Sequence, residues 1–345
     1  MINIPRLLLI ITIKQQGVIN MNNFKKIGLT ALAGSLVATS VYAGEMSVAG
    51  SASWRISNHA GTDGGKTMAM GNQLTFTGGG EMDNGMNVSL SFILDQGDDH
   101  PATDASIANN EARGDSSPFD SHSITISSDA MGSLTFAGEG ASSAQNTVDT
   151  TAAGDIWDNT FGFVKPTNAS AGKVLTWTLP SVMDGLGVVT SYNMSSAGEE
   201  ATIGYALTYT GVEGLSVSYG MGEKGSTTAG TGGIEITTMK ASFAFGPVTA
   251  AMSINDYDIS GGKNEEQSSY SISYSVSDEL SISYGSETHE TTGQSTDEEF
   301  DQISVSYTTG GLTASVRQTN ADNVVGAINS QTEQSQWNVG LSFAF

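Results

Sequence analysis

The stretch Thr202-Ile203-Gly204-Tyr205-Ala206-Leu207-Thr208-Tyr209, followed after Thr210-Gly211-Val212-Glu213-Gly214 by Leu215-Ser216-Val217-Ser218-Tyr219-Gly220-Met221-Gly222, decides how this chain folds. Every second residue is apolar, and those between are Thr, Ser, Gly or Ala. A period of two puts the apolar side chains on one face of an extended strand and the small ones on the other, whereas a helix would repeat its apolar residues every three or four.

The same alternation recurs along most of the chain. Met46, Val48, Gly50, Ala52, Trp54 and Ile56 alternate with Ser47, Ala49, Ser51, Ser53, Arg55 and Ser57. Ile272, Tyr274 and Val276 alternate with Ser271, Ser273 and Ser275, and Leu280, Ile282 and Tyr284 with Ser281 and Ser283. Sixteen such segments are expected, at 46–57, 69–80, 86–95, 120–128, 133–140, 172–180, 186–194, 201–210, 215–223, 234–245, 248–257, 267–276, 280–288, 299–308, 312–320 and 335–345. The connections alternate in kind. Seven are short (81–85, 129–132, 181–185, 211–214, 246–247, 277–279 and 309–311), while the other eight are longer and carry much of the acid. One trimmed rim and one decorated rim is the asymmetry of an outer-membrane barrel, whose strands need about 9–11 residues each to cross the apolar band.

Composition agrees with this reading and excludes others. The 345 residues carry 13 bases against 36 acids, a net charge of −23, so no basic surface is available for nucleic acid. The absence of cysteine excludes disulfides, thiolate metal sites and a thiol nucleophile. In a soluble sandwich the outer face would carry Lys, Glu and Arg. Here the second face is almost uncharged Ser, Thr and Gly, which suits a wetted lumen wall. Trp54, Trp177, Tyr192, Tyr209, Tyr219, Tyr307, Trp337 and Phe345 lie on the apolar face near strand ends, as an interfacial girdle requires. Closure into a barrel also pairs every backbone group, which lipid demands.

Residues 1–43 are set apart. They hold four bases (Arg6, Lys14, Lys25, Lys26) and no acid. From Met21 a basic start leads into an apolar stretch, Ile27 to Val41, and then Val41-Tyr42-Ala43. That is the pattern of a secretory signal peptide starting at Met21 and cleaved after Ala43, its apolar stretch short of the roughly 20 residues of a spanning helix. Its removal leaves a single barrel domain, 44–345, with a charge of −27.

The export signal, the alternating strands, a long segment after the fifth strand and the closing Trp337-Asn338-Val339-Gly340-Leu341-Ser342-Phe343-Ala344-Phe345 together resemble the general trimeric porins of Gram-negative outer membranes. Asn84 to Phe92, Phe119 to Ile126, Met131 to Gly138 and Gly154-Asp155-Ile156-Trp157-Asp158 resemble the family's third to fifth strands and constriction loop. The resemblance implies an all-β, sixteen-stranded antiparallel transmembrane barrel that passes small hydrophilic solutes and ions by passive diffusion. It implies a homotrimer surrounded by outer-membrane lipid, packed through small residues of the first strands (Gly50, Ala52, Gly78, Gly80), and recognition of the terminal strand at Phe345 by the assembly machinery.

It further implies that loop 141–171 folds into the lumen. Its acids Asp149, Asp155 and Asp158, with Glu139 on the strand before it, would face lumen-pointing Arg55, Lys240 and Arg317. The family's fuller arginine cluster is absent, so a cation preference is expected. Three acids at 6 Å would bias an ion by about 2 kcal/mol at the dielectric of water, before screening.

Other chemistry finds little support. Ala60-Gly61-Thr62-Asp63-Gly64-Gly65-Lys66-Thr67 approximates a phosphate-binding loop but has Ala for its first glycine and no helix after it. Asp256, Asp258 and Ser260 approximate a calcium loop in which Gln267 replaces the bidentate Glu, so calcium or magnesium is expected at external loops only loosely, and no cofactor is implied. His59, His100, His122 and His289 show no catalytic or metal spacing, and an esterase or protease has no G-x-S-x-G elbow to rest on. The competing functions are a channel selective for a sugar, a peptide or a metal ion, and a β-rich surface adhesin.

Overall fold

The computed structural model describes residues 45–58, 66–95, 119–154, 156, 172–194, 201–224, 233–324 and 333–345; the expected signal peptide lies outside them. Sixteen strands follow one another: β1 (Glu45–Asn58), β2 (Lys66–Glu81), β3 (Asn87–Asp95), β4 (Phe119–Ser128), β5 (Gly132–Ala141), β6 (Gly172–Thr178), β7 (Leu186–Asn193), β8 (Thr202–Tyr209), β9 (Leu215–Lys224), β10 (Ile234–Phe245), β11 (Val248–Ile259), β12 (Glu265–Ser275), β13 (Leu280–Thr291), β14 (Glu298–Thr309), β15 (Leu312–Asp322) and β16 (Gln334–Ala344). Each pairs antiparallel with its neighbours in sequence, and β16 pairs with β1 to close the barrel. A 3₁₀ turn at Gln145–Thr147 interrupts the connection after β5.

The seam is held to the last residue. The Gly50 amide donates to the Phe345 carbonyl (2.7 Å), and the Phe345 amide to the Gly50 carbonyl (3.0 Å). A side chain at Gly50 would run into the Phe345 ring and stand 3.0 Å from Leu74. Gly50 therefore serves the chain's own closure. Of the four small residues expected to pack against a neighbouring subunit, this one already lies under Phe345.

The alternation sorts the two faces as the sequence predicts. Ile203, Tyr205, Leu207 and Tyr209 of β8 are exposed on the outside, while Thr202, Gly204 and Ala206 point inward and are buried. Inward hydroxyls pair across strands, as in Thr125–Thr135 (2.9 Å), Thr208–Ser218 (3.0 Å) and Ser283–Ser304 (2.6 Å). A hydroxyl both donates and accepts, so a ladder of them satisfies itself and still offers water a partner. Outside, Phe76 and Phe92 stack at 4.8 Å, and the Trp177 ring N–H donates to the Met131 carbonyl of the neighbouring turn (2.8 Å).

Strands β11, β12, β13 and β15 run beyond the expected segments by two or three residues at their outer ends, and β14 by one. There the faces exchange character. On β11 the outward series Val248, Ala250, Met252, Ile254 continues as Asp256 and Asp258, and the inward series Thr249, Ala251, Ser253, Asn255 continues as Tyr257 and Ile259. Tyr257 and Ile236 are buried together inside, flanked by Ile234 and Ile259. An outer face that turns from apolar to acidic marks where the wall leaves lipid for water. Below that level about eight residues of tilted strand cover roughly 20 Å, close to the apolar band of such barrels.

Replacing Gly50 with Leu displaces the Phe345 ring from the seam. The expected result is a lower yield of closed barrel, read as loss of the heat-modifiable band on electrophoresis, with a smaller loss for Gly50→Ala.

Candidate functional site

The lumen is built around the segment after β5. Register shifts on both sides of that strand's end, between His122 and Ser123 on β4 and between Ala137 and Ala141 toward β6, break the ladder and turn the chain inward. From there Ser142 to Gly154 runs along the inner wall and crosses successive strands by hydrogen bonds. The Ala144 amide donates to Ser191 Oγ on β7 (2.8 Å), and Gln145 Nε2 to Thr238 Oγ1 on β10 (2.8 Å). Ser253 Oγ and Asn255 Nδ2 of β11 both donate to the Thr150 carbonyl, the former at 2.8 Å. The Ala152 amide donates to Ser269 Oγ on β12 (2.9 Å).

Two charged wall residues fasten the segment. Lys240 on β10 donates to Asp149 Oδ2 and to the Thr151 carbonyl, each at 2.6 Å. Glu287 on β13 is fully buried and accepts from the Ile156 amide (2.8 Å), the Ser269 hydroxyl (3.1 Å) and the Thr151 hydroxyl. Buried carboxylates are tolerable only with such donors around them.

Close contact requires that the wall have no side chains where the segment lies. A Cβ at Gly220 would stand 3.0 Å from the Gln145 carbonyl and 3.1 Å from Val148. At Gly285 it would be 2.6 Å from the Ala153 methyl, and at Gly204 it would be 2.6 Å from Ser191 Oγ, the acceptor of the Ala144 amide. Two apolar contacts complete the docking: Ala144 and Val148 against Ala206 of β8, and Ala153 and Ile156 against Phe300 of β14, Ala321 of β15 and Val324. The described part of the segment thus lines the wall from β7 to β15.

The sequence matches the family model of Gram-negative porins over residues 28–345. The chain belongs to that family. No curated protein sequence matches it. Among solved structures it is similar to an anion-selective porin from Comamonas acidovorans (12% identity, TM-score 0.67, covering 88% of this chain and 100% of that one). It is also similar to the trimer form of OmpT, an outer membrane protein of Vibrio cholerae (12%, 0.65, 88% and 100%), and to Salmonella typhi OmpF in complex with daunomycin (13%, 0.65, 88% and 98%). The family and the closed barrel make this an outer-membrane porin.

Of the expected constriction acids, Asp149 is brought to the wall, where Lys240 pairs with it. Asp155 and Asp158 lie outside the described residues, and of Glu139 only the backbone is described, opposite His122. Arg55 on β1 and Arg317 on β15 flank β16, opposite Gly340 and Asn338, and line one cavity. Asp256 and Asp258 lie on the outward face of β11, opposite Glu266 and Glu235, and Ser260 follows in the turn. Among the described residues no cluster of three or more His or acidic side chains is arranged to hold a metal. His122 is on the outer surface, while His289 is inside the upper barrel, its Nδ1 2.8 Å from Glu298 Oε2 and its Nε2 3.4 Å from Glu265 Oε2.

Glu287 and the three docking glycines were not legible as site residues. A glycine on the polar face of a strand reads as strand composition, and Glu287 as one acid among many. The signal was the pairing of Gly285 with Glu287 on one inward parity.

A larger side chain under the segment pushes it toward the barrel axis. Gly220→Leu and Gly285→Leu should therefore lower single-channel conductance, while Gly187→Ala, whose Cβ meets nothing nearer than 3.8 Å, leaves it unchanged. Glu287→Ala orphans donors at a cost of about 1–3 kcal/mol each, and the loosened segment is expected to show as excess open-channel noise.

Proposed function

We propose that this porin carries small hydrophilic solutes and ions by passive diffusion through a water-filled lumen narrowed by the segment after β5, and that it prefers cations. The docking of Ser142 to Gly154 on the inner wall supports this reading most directly, since it leaves a hydroxyl-lined path beside the segment. No energy input, cofactor or catalytic step belongs to this function.

Among the described residues, support for cation preference comes from the mouth. Asp149 is neutralised by Lys240, so its charge no longer acts alone on a passing ion. The outward faces of β9 to β15 carry Glu223, Glu235, Asp256, Asp258, Glu266, Glu290, Glu299, Asp301 and Asp322 beyond the apolar belt. Several oppose each other directly, as in Glu235–Asp258, Asp256–Glu266, Glu266–Glu290 and Glu299–Asp322. Such a collar raises the local cation concentration, and salt screens it within about 10 Å at 0.1 M.

The trimer form of a similar solved outer membrane protein supports a homotrimer, and the outward aromatics are consistent with it. Tyr192, Tyr205, Tyr209, Tyr219, Tyr270, Tyr274, Tyr284 and Tyr307 all lie on β7 to β14, and none of the chain's tyrosines lies on β1 to β6. A belt that lacks tyrosine on one side and keeps only Trp54 and Trp177 there suits a face turned to protein, where Met68, Met70, Ala52, Gly78 and Gly80 allow close approach. Export through residues 1–43 and assembly through the strand ending at Phe345 complete the proposal.

The purified protein in a planar bilayer is expected to give ohmic steps in threefold groups. Under a KCl gradient the reversal potential should have the sign of cation preference and shrink as salt rises. Anion preference would overturn the cation reading, and absence of conductance would leave the adhesin.

A further inference from the structure

An outward side chain that can hydrogen-bond is out of place at mid-strand, where lipid offers it no partner. On β1 to β6, the side without tyrosine, two such side chains stand among apolar ones. Asn72 points outward from β2, with Met68 and Met70 above it on the strand and Leu74 and Phe76 below. Its register partner on β1 is Ala52, which is itself opposite Phe343 of β16, so Asn72 lies well below the outer end of β2 at Lys66. His122 points outward from β4 on the parity of Ile124 and Ile126, opposite Phe92 of the Phe76–Phe92 stack. Both side chains are exposed, and among the described residues neither has a hydrogen-bond partner.

The wall holds His122 in position. A Cβ at Gly138 of β5 would run into His122 Nε2, so the imidazole lies across the neighbouring strand in space that a glycine leaves. A neutral imidazole has one donor and one acceptor, and an Asn amide has both, so the two groups are complementary. They cannot meet within one chain. Strand β3 stands between them, and Asn72 is four residues along β2 from the row of Phe76, Phe92 and His122, a separation of about 16 Å at ordinary sheet spacings. The other outward polar side chains described on β1 to β6, Asn58, Lys66, Ser128 and Lys173, lie at strand ends, where water reaches them.

On the homotrimer reading above, we propose that His122 of each copy hydrogen-bonds Asn72 of the next. A closed ring of three makes heterologous contacts, in which one patch of each copy meets a different patch of its neighbour. Such a contact joins two groups that a single chain keeps apart. It also gives the trimer a direction that apolar packing lacks, because lipid tails compete with apolar side chains for the same surface but not with a polar pair.

The chain has no cysteine, so introduced thiols report on the contact cleanly. The double variant Asn72→Cys with His122→Cys, treated in the membrane with a short bismaleimide, should give covalent dimers and trimers on denaturing electrophoresis. Asn72→Cys with Thr190→Cys, whose second thiol points outward from β7, should stay monomeric there. In mild detergent His122→Leu and Asn72→Leu should each speed loss of the trimer band about tenfold, the order expected when one hydrogen bond within the membrane is lost at each of three contacts. His122→Gln, which keeps a donor and an acceptor, should recover most of that loss, and Thr190→Val should change nothing. A retained heat-modifiable band checks that each variant barrel is closed. Absence of covalent dimers, or leucine variants whose trimers last as long as wild type, overturns the polar pair. A wild type that is monomeric in mild detergent overturns the homotrimer itself, so the two failures are distinguishable.

Discussion

Every other feature depends on the backbone's need for partners. In lipid a strand's N–H and C=O groups have no water to turn to, and each one left unpaired costs several kcal/mol. A sheet of sixteen strands meets this condition by having no edge, and the meeting of β1 with β16 through Gly50 and Phe345 removes the last one. Once closure is imposed, the period of two does the rest. One face of each strand must look to lipid and the other to the lumen, so apolar residues occupy alternate positions and the remainder are small enough not to fill the interior.

The same condition explains how the lumen can hold a second layer of chain. The segment after β5 has backbone groups of its own to satisfy and does so with wall side chains: Ser191, Ser253, Asn255, Ser269 and Glu287. A wall of Ser, Thr and Asn is thus a hydrogen-bonding surface as well as a hydrophilic lining. Gly220 and Gly285 set how near the segment can come, and with it the width of the remaining path, while Gly204 leaves room for the Ser191 hydroxyl that anchors it.

The sequence was most legible where one physical requirement acted along a whole strand. The expected segments of β1 to β10 coincide with the strands to within a few residues, and β10 agrees at both ends. The outer ends of β11, β12, β13 and β15 were missed because the apolar phase changes face at the water boundary, as at Asp256 and Tyr257, and a rule that follows apolar residues stops there although pairing continues. The site was less legible for a different reason. The pairing of Lys240 with Asp149 joins residues 91 apart, and that of Thr151 with Glu287 residues 136 apart, so local pattern has no bearing on either. Parity did carry Arg55 and Arg317 to opposite sides of β16, because strand order and face alone determine that placement.

Charge in this barrel is consequently separated by function and by depth. With only 13 bases in the chain, each lumen cation is conspicuous, and the structure uses them differently. Lys240 cancels the acid that would have stood in the constriction and holds the segment in place. Arg55 and Arg317 face the path. The acids gather outside and above, where the opposed carboxylates of β10 to β15 are well hydrated and their mutual repulsion is weakened by water and salt. The family resemblance suggested an acidic constriction, and of its four acids only Asp149 has a described side chain. Among the described residues the acids gather at the mouth, where their effect on a passing ion weakens as ionic strength rises.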